Sequence, residues 1–174
     1  MTALGAATAS STDEISAGLE KFAAVSNSVG LSYEYATSAL ATVTATTRQS
    51  ADVVGTAFKT LFARIQDLEL GKTLDDGTTL GKYSQALETV GVSIKTADGG
   101  LREMDDILSD LGEKWNSFDA EGNPLISEDA KVALAQTVAG VRQYTQLIAL
   151  MDNWDFMKEN LETARNATGT LNEQ

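Results

Sequence analysis

The chain has 174 residues, 43% apolar and 22% charged, with one proline, no cysteine and no histidine. That length suits one domain able to bury roughly 70% of the surface its unfolded form exposes, and the composition excludes collagen-like and proline-rich disordered classes. A disulfide framework, a thiolate nucleophile, a Cys/His zinc site and a His-based triad are excluded by residue type, and a net charge of -12 opposes binding to polyanions.

Residues 1–12 are small and uncharged, and the first basic residue is Lys21, so no basic region precedes an apolar core as a secretory signal requires. They are expected to be a flexible leader. Thr12-Asp13-Glu14 marks a helix start, and Ile15, Leu19, Phe22, Ser26 and Val29 recur on one face until Gly30 stops the helix. Ser32 caps the next helix, with Ala36, Leu40 and Val43 inward and Thr42, Thr44, Thr46 and Thr47 weakening it through lost χ1 freedom. Ser50 opens the clearest stripe, Val54, Phe58, Leu61, Ile65 and Leu68, with Asp52, Lys59, Arg64 and Asp67 on the other side.

A loop over 71–77 leads to Thr78 or Thr79, which opens a short helix carrying Leu80, Tyr83, Leu87 and Val90. Alternation at Val92 and Ile94, the turn Ala97-Asp98-Gly99-Gly100 and a return at Leu101-Arg102 predict a small β-hairpin near residues 91–102. Met104, Ile107, Leu108, Leu111, Trp115 and Phe118 form the next helical stripe. A polar loop with Pro124 follows. Ser127-Glu128-Asp129 then caps a helix running through Leu134, Val138, Val141, Ile148 and Met151. Gly140 within it implies either a close helix approach or a break. Asn153 interrupts, and a last helix shows Trp154, Met157, Leu161 and Ala164. No repeat has solenoid spacing and no heptad register persists. The expected fold is an all-α compact bundle of about six or seven amphipathic helices over 13–168, with a polar tail over 169–174 continuing in a longer parent.

Candidate chemistry loses to simpler accounts. Gly71-Lys72-Thr73 looks like the end of a phosphate loop, but Gln66 stands where that loop needs glycine, and the segment follows a helix. Asp119, Glu121 and Asn123 alternate as in a calcium loop, yet Pro124 and Ala130 occupy the places of its glycine and bidentate glutamate. The pairs Asp75/Asp76 and Asp105/Asp106 are adjacent and do not face each other across a cleft. No Gly-x-Ser-x-Gly or Ser-x-x-Lys occurs, and Asn166-Ala167-Thr168 is a glycosylation sequon in form only. Helices over 32–47 and 50–68 could suggest a helix-turn-helix, but the face with Thr56, Lys59, Thr60, Arg64 and Gln66 is near neutral beside Asp52 and Asp67. Trp115, Trp154, Phe118 and Phe156 could line a pocket; the helical stripe assigns Trp115 and Phe118 to packing. Lys72, Lys82 and Lys95 stand apart, and the arginines are scattered. Sequence-specific nucleic-acid binding, a transmembrane segment, a catalytic site, a cofactor and a metal are therefore not expected, and the binding residues are unknown.

Several segments, in order, resemble the core region of phage tail tape-measure proteins. They are Gly30–Ala36 through Thr47–Ala51, Gly55–Lys59, Phe62–Ile65, Val90–Ile94 with its Asp-Gly turn and Leu101-Arg102, Met104–Leu108 and Ala133–Tyr144. The ordered set, from about Asp13 onward, is more specific than any one Ala-rich helix. The resemblance implies a non-enzymatic structural segment that acts in tail assembly and tail-length determination and leaves the tail at DNA ejection. It implies the tail tube protein and a tail assembly chaperone as partners, and the tail lumen, or the bacterial host cytoplasm during assembly, as location. At 1.5 Å per residue the chain spans only about 260 Å as one helix, so it is expected to be a fragment of a longer parent. The alternatives are a cell-wall hydrolase module of a tail protein and a helical protein-binding adaptor.

Overall fold

Serine and threonine start most of the helices, because their side-chain oxygens accept backbone N–H groups that the first turn leaves without partners. The computed structural model describes residues 11–173, with side chains to residue 169. Within them are eight helices: α1 (Thr12–Ser28), α2 (Tyr33–Thr47), α3 (Ala51–Glu69), α4 (Leu80–Glu88), α5 (Met104–Trp115), α6 (Glu128–Ala139), α7 (Tyr144–Asp152) and α8 (Trp154–Glu173). Ser32, Ser50, Thr79 and Ser127 cap α2, α3, α4 and α6. Ser11, rather than Thr12, caps α1, and it forms a reciprocal capping box with Glu14. The rest of the leader expected over 1–12 lies outside the described residues.

Glycine follows the ends of three helices, at Gly30 as expected and also at Gly71 and Gly91. After α3, the Gly71 N–H donates to Leu68 O and the Lys72 N–H to Asp67 O, the paired bonds of a Schellman end, with Gly71 at φ 84°. Gly30 and Gly91 close α1 and α4 in the same way.

The all-α class stands. The core is organised around α2, in which every residue from Tyr35 to Thr44 is buried. It packs against α1, α3, α7 and α8. The one-sided stripe expected there is therefore corrected: Thr37, Ser38, Thr42 and Thr44 are also inside. Their hydroxyls donate to carbonyls three or four residues earlier at 2.6–3.0 Å, so each polar atom is satisfied locally and small side chains admit neighbours on all sides.

Helices α1 and α3 touch through their backbones. A Cβ added to Gly55 would sit 2.3 Å from Gly18 O, and one added to Gly18 would sit 2.5 Å from Ala51 O. Phe22, Phe58 and Phe62 cluster beside this crossing, with the Phe22 and Phe58 rings edge-on at 5.4 Å. Elsewhere Trp154 fills the notch left by Gly112 in α5.

Several expectations need correction. At Gly140, φ 91°, the break is the reading that holds: the stretch from Ser127 to Met151 is two helices, α6 and α7, which brings the described helices to eight. Val141 lies outside both and is 65% exposed. Helix α5 ends at Trp115, and Phe118 is likewise 65% exposed. The hairpin near 91–102 is reduced to one antiparallel bridge, Lys95–Leu101, beside buried Val92 and Ile94. A second bridge, Phe118–Pro124, lies in the segment read only as a polar loop. The tail expected over 169–174 is helical through residue 173.

Candidate functional site

Each candidate group is absorbed by the fold. Gly71-Lys72-Thr73 is the helix end already described, and Lys72 pairs with Asp67 at 3.3 Å. In the loop after α5, Asp119 Oδ1 accepts the N–H groups of Glu121 and Asn123 at 2.9 and 2.8 Å, which turns the chain and holds the carboxyl below its usual range, the Asn123 N–H contributing most. Among the described residues no group of three His, Cys, Asp or Glu side chains is placed to hold a metal ion.

Asp105 receives the Ser32 N–H at 3.0 Å, joining the N-termini of α2 and α5. Burial pushes its carboxyl up, and the Ser32 contacts only partly offset that. Tyr35 shares a 3.0 Å hydrogen bond with Ser109, and its phenol too is raised by burial. Asp75 and Asp76 do not act as a pair; Asp76 turns instead to Arg64.

The aromatics split. Trp115 is buried, with Nε1 donating to Asp152 at 2.8 Å and Lys131 Nζ 5.5 Å from its ring. Trp154 is buried and donates to Glu113 at 3.3 Å. Phe118 and half-buried Phe156 do not join them in a pocket. On the α2–α3 pair, Thr56, Lys59 and Thr60 are exposed, whereas Arg64 is turned inward with a side chain only 13% exposed.

Two polar clusters escape the sequence reading. In the first, Arg64 Nη2 donates to Asp76 Oδ2 at 3.0 Å and to Thr137 O at 2.8 Å, tying α3, the 70–79 loop and α6 together. Burial opposes ionisation of Asp76, but the Thr78 hydroxyl and N–H and the Arg64 guanidinium outweigh it and hold the carboxyl low. Arg64 Nε and the Tyr83 hydroxyl are buried without hydrogen-bond partners, and burial raises the Tyr83 phenol. Position 64 lies three residues after Leu61 and four before Leu68 on the apolar face, the one signal that could have placed it inside. In the second cluster, Asn160 Nδ2 of α8 donates to Thr42 Oγ1 at 2.9 Å in the interior. No local pattern distinguishes Asn160 from a surface asparagine.

The surface carries a cleft of about 270 Å³ beside Val29, Ile65, Leu101 and Ile107, and an apolar groove of about 290 Å³ between Leu19, Ala23, Leu31 and Tyr33. The serines on their walls, Ser28 and Ser26, donate to the backbone carbonyls of Val25 and Ala23 rather than to a neighbouring glutamate. No helix among the described residues is long and apolar enough to cross a membrane.

The family described as phage-related minor tail protein matches residues 1–128. No solved structure matches the chain.

Proposed function

Because the chain belongs to the phage-related minor tail protein family, we propose that it is a segment of a tape-measure protein: a tail component with a structural, non-enzymatic role that helps set tail length. The observation that carries this reading is the family match over residues 1–128. The ordered helical segments from Gly30 to Tyr144 that resemble tape-measure cores support it. The segment lies in the tail lumen, tube subunits polymerise around its parent with a tail assembly chaperone, and it leaves with the DNA at ejection.

In this reading the compact bundle is the form taken before tube assembly, and helices drawn out in series are the form inside the tube. Small residues in α2 and α6 favour such a change, since Ala and Thr bury little area each and single helices of this kind depend on their neighbours. Tail length is the decisive readout. In the parent gene, in-frame removal of residues 13–168 shortens tails in electron micrographs by roughly 230 Å at 1.5 Å per residue. Tails of unchanged length would overturn the measuring role. A peptidoglycan-release assay on the isolated chain gives no soluble fragments; release would favour the hydrolase alternative.

A further inference from the structure

In the sequence Leu134, Val138, Val141 and Ile148 keep one helical phase across Gly140, yet in the fold α7 buries Leu147, Leu150 and Met151 instead, leaving Ile148 half-buried and Val141 65% exposed. The chain's one proline, Pro124, precedes α6, so nothing in Glu128–Asp152 forbids an unbroken helix. In such a helix Thr137 O would accept the N–H of Val141. Here it accepts Arg64 Nη2 at 2.8 Å instead. Arg64 also lies across the break: a Cβ added to Gly140 would stand 3.2 Å from its Nη1. Asp76 holds the guanidinium at 3.0 Å, and Asp76 itself accepts the Thr78 N–H at 3.0 Å. A cation on the last carbonyls of α6 is also favoured by the helix dipole.

We propose that Arg64 is a latch that keeps α6 and α7 apart, and that its release lets Glu128–Asp152 join as one continuous helix. The apolar spacing runs on through the break; Gly140 permits the break, and the contacts from α3 hold it. The element that moves is α6, whose only large apolar buried side chains are Leu134 and Val138, accompanied by Ala135 and Ala139. Joining replaces two short rods with one of about 37 Å, and brings Val141 into line with the rest of the stripe. The inference does not depend on the tape-measure reading.

The native chain has no cysteine, so one introduced thiol reports on one place. In the full 174-residue chain carrying Val138→Cys, the rate of modification by a disulfide reagent measures the opening of α6. Arg64→Met raises that rate about tenfold, as expected for loss of a hydrogen bond to a charged donor. Adding Val141→Pro returns the rate toward its starting value, because proline supplies no N–H to Thr137 O and blocks the joined helix. Gly140→Ala, with Arg64 intact, raises the rate in the same direction. A thiol at the buried Ile15→Cys in α1, a helix packed against α3 and α2, shows no acceleration with Arg64→Met. Three results would each overturn the proposal: no response to Arg64→Met, an equal response at Ile15→Cys, or an acceleration that Val141→Pro leaves in place.

Discussion

Gly112 and Gly81 are both helical glycines, and space alone separates them. A Cβ at Gly112 would lie 2.1 Å from the Trp154 ring; at Gly81 the nearest atom is Thr79 Oγ1 at 3.9 Å. Gly112→Ala therefore forces Trp154 out of its seat and lowers stability by about 3 kcal/mol. Gly81→Ala raises it by about 0.5–1 kcal/mol, since alanine has less backbone freedom to lose. Denaturant melts of both variants check the pair, and shifts of the same sign would contradict the packing described. Both glycines could be read as helical from their neighbours, but only the approach of α8 makes one of them indispensable. Arg64 and Asn160 illustrate the same limit: a lone polar residue carries no local sign of the partner that buries it.

Helices on one apolar stripe were legible because burial on one side imposes a 3.6-residue period. The α3 stripe of Val54, Phe58, Leu61, Ile65 and Leu68 is buried throughout. Leu61→Ala accordingly costs roughly 2–5 kcal/mol, and Trp115→Ala in α5 roughly 3–5. Unchanged thermal melting in both would refute these assignments. Helix α2 obscured its own role, since a helix surrounded on all sides has no period to read, and its threonines resemble surface residues until their hydroxyls are seen to bond backward. The α6–α7 break was signalled by Gly140 but left open beside a close helix approach, because the apolar period continues through it. The 91–102 turn was found, but with only one bridge between its arms, because the return arm has only Leu101 to Glu103 before α5 begins at Met104.

Across the whole molecule, a net charge of -12 opposes compactness at neutral pH. Acidification relieves that repulsion while removing specific contacts. Asp76 is held below its ordinary 3.8 in the fold, so the unfolded chain takes up the proton first as pH falls. Its contribution is present above the ordinary carboxylate range and is lost as pH drops through the folded value. Asp105 has the opposite sign: burial raises it, the folded state takes up the proton first, and stability rises as pH falls from above its folded value toward 3.8. Thermal melting between about pH 5 and 2 should therefore fall less steeply in Asp76→Asn than in the native chain. Equal slopes would place Asp76 outside the stabilising network.

By itself the sequence determined the helical class, the caps of α2, α3 and α6, the stop at Gly30 and the lack of Cys/His chemistry, since each depends on residue type or on spacing within a few residues. Tertiary structure alone decided that α2 is central, that Arg64 turns inward, which of the two readings holds at Gly140 and that Trp154 sits on Gly112. Those outcomes depend on contacts between distant segments, where competing helices can displace a local preference worth only about 1 kcal/mol.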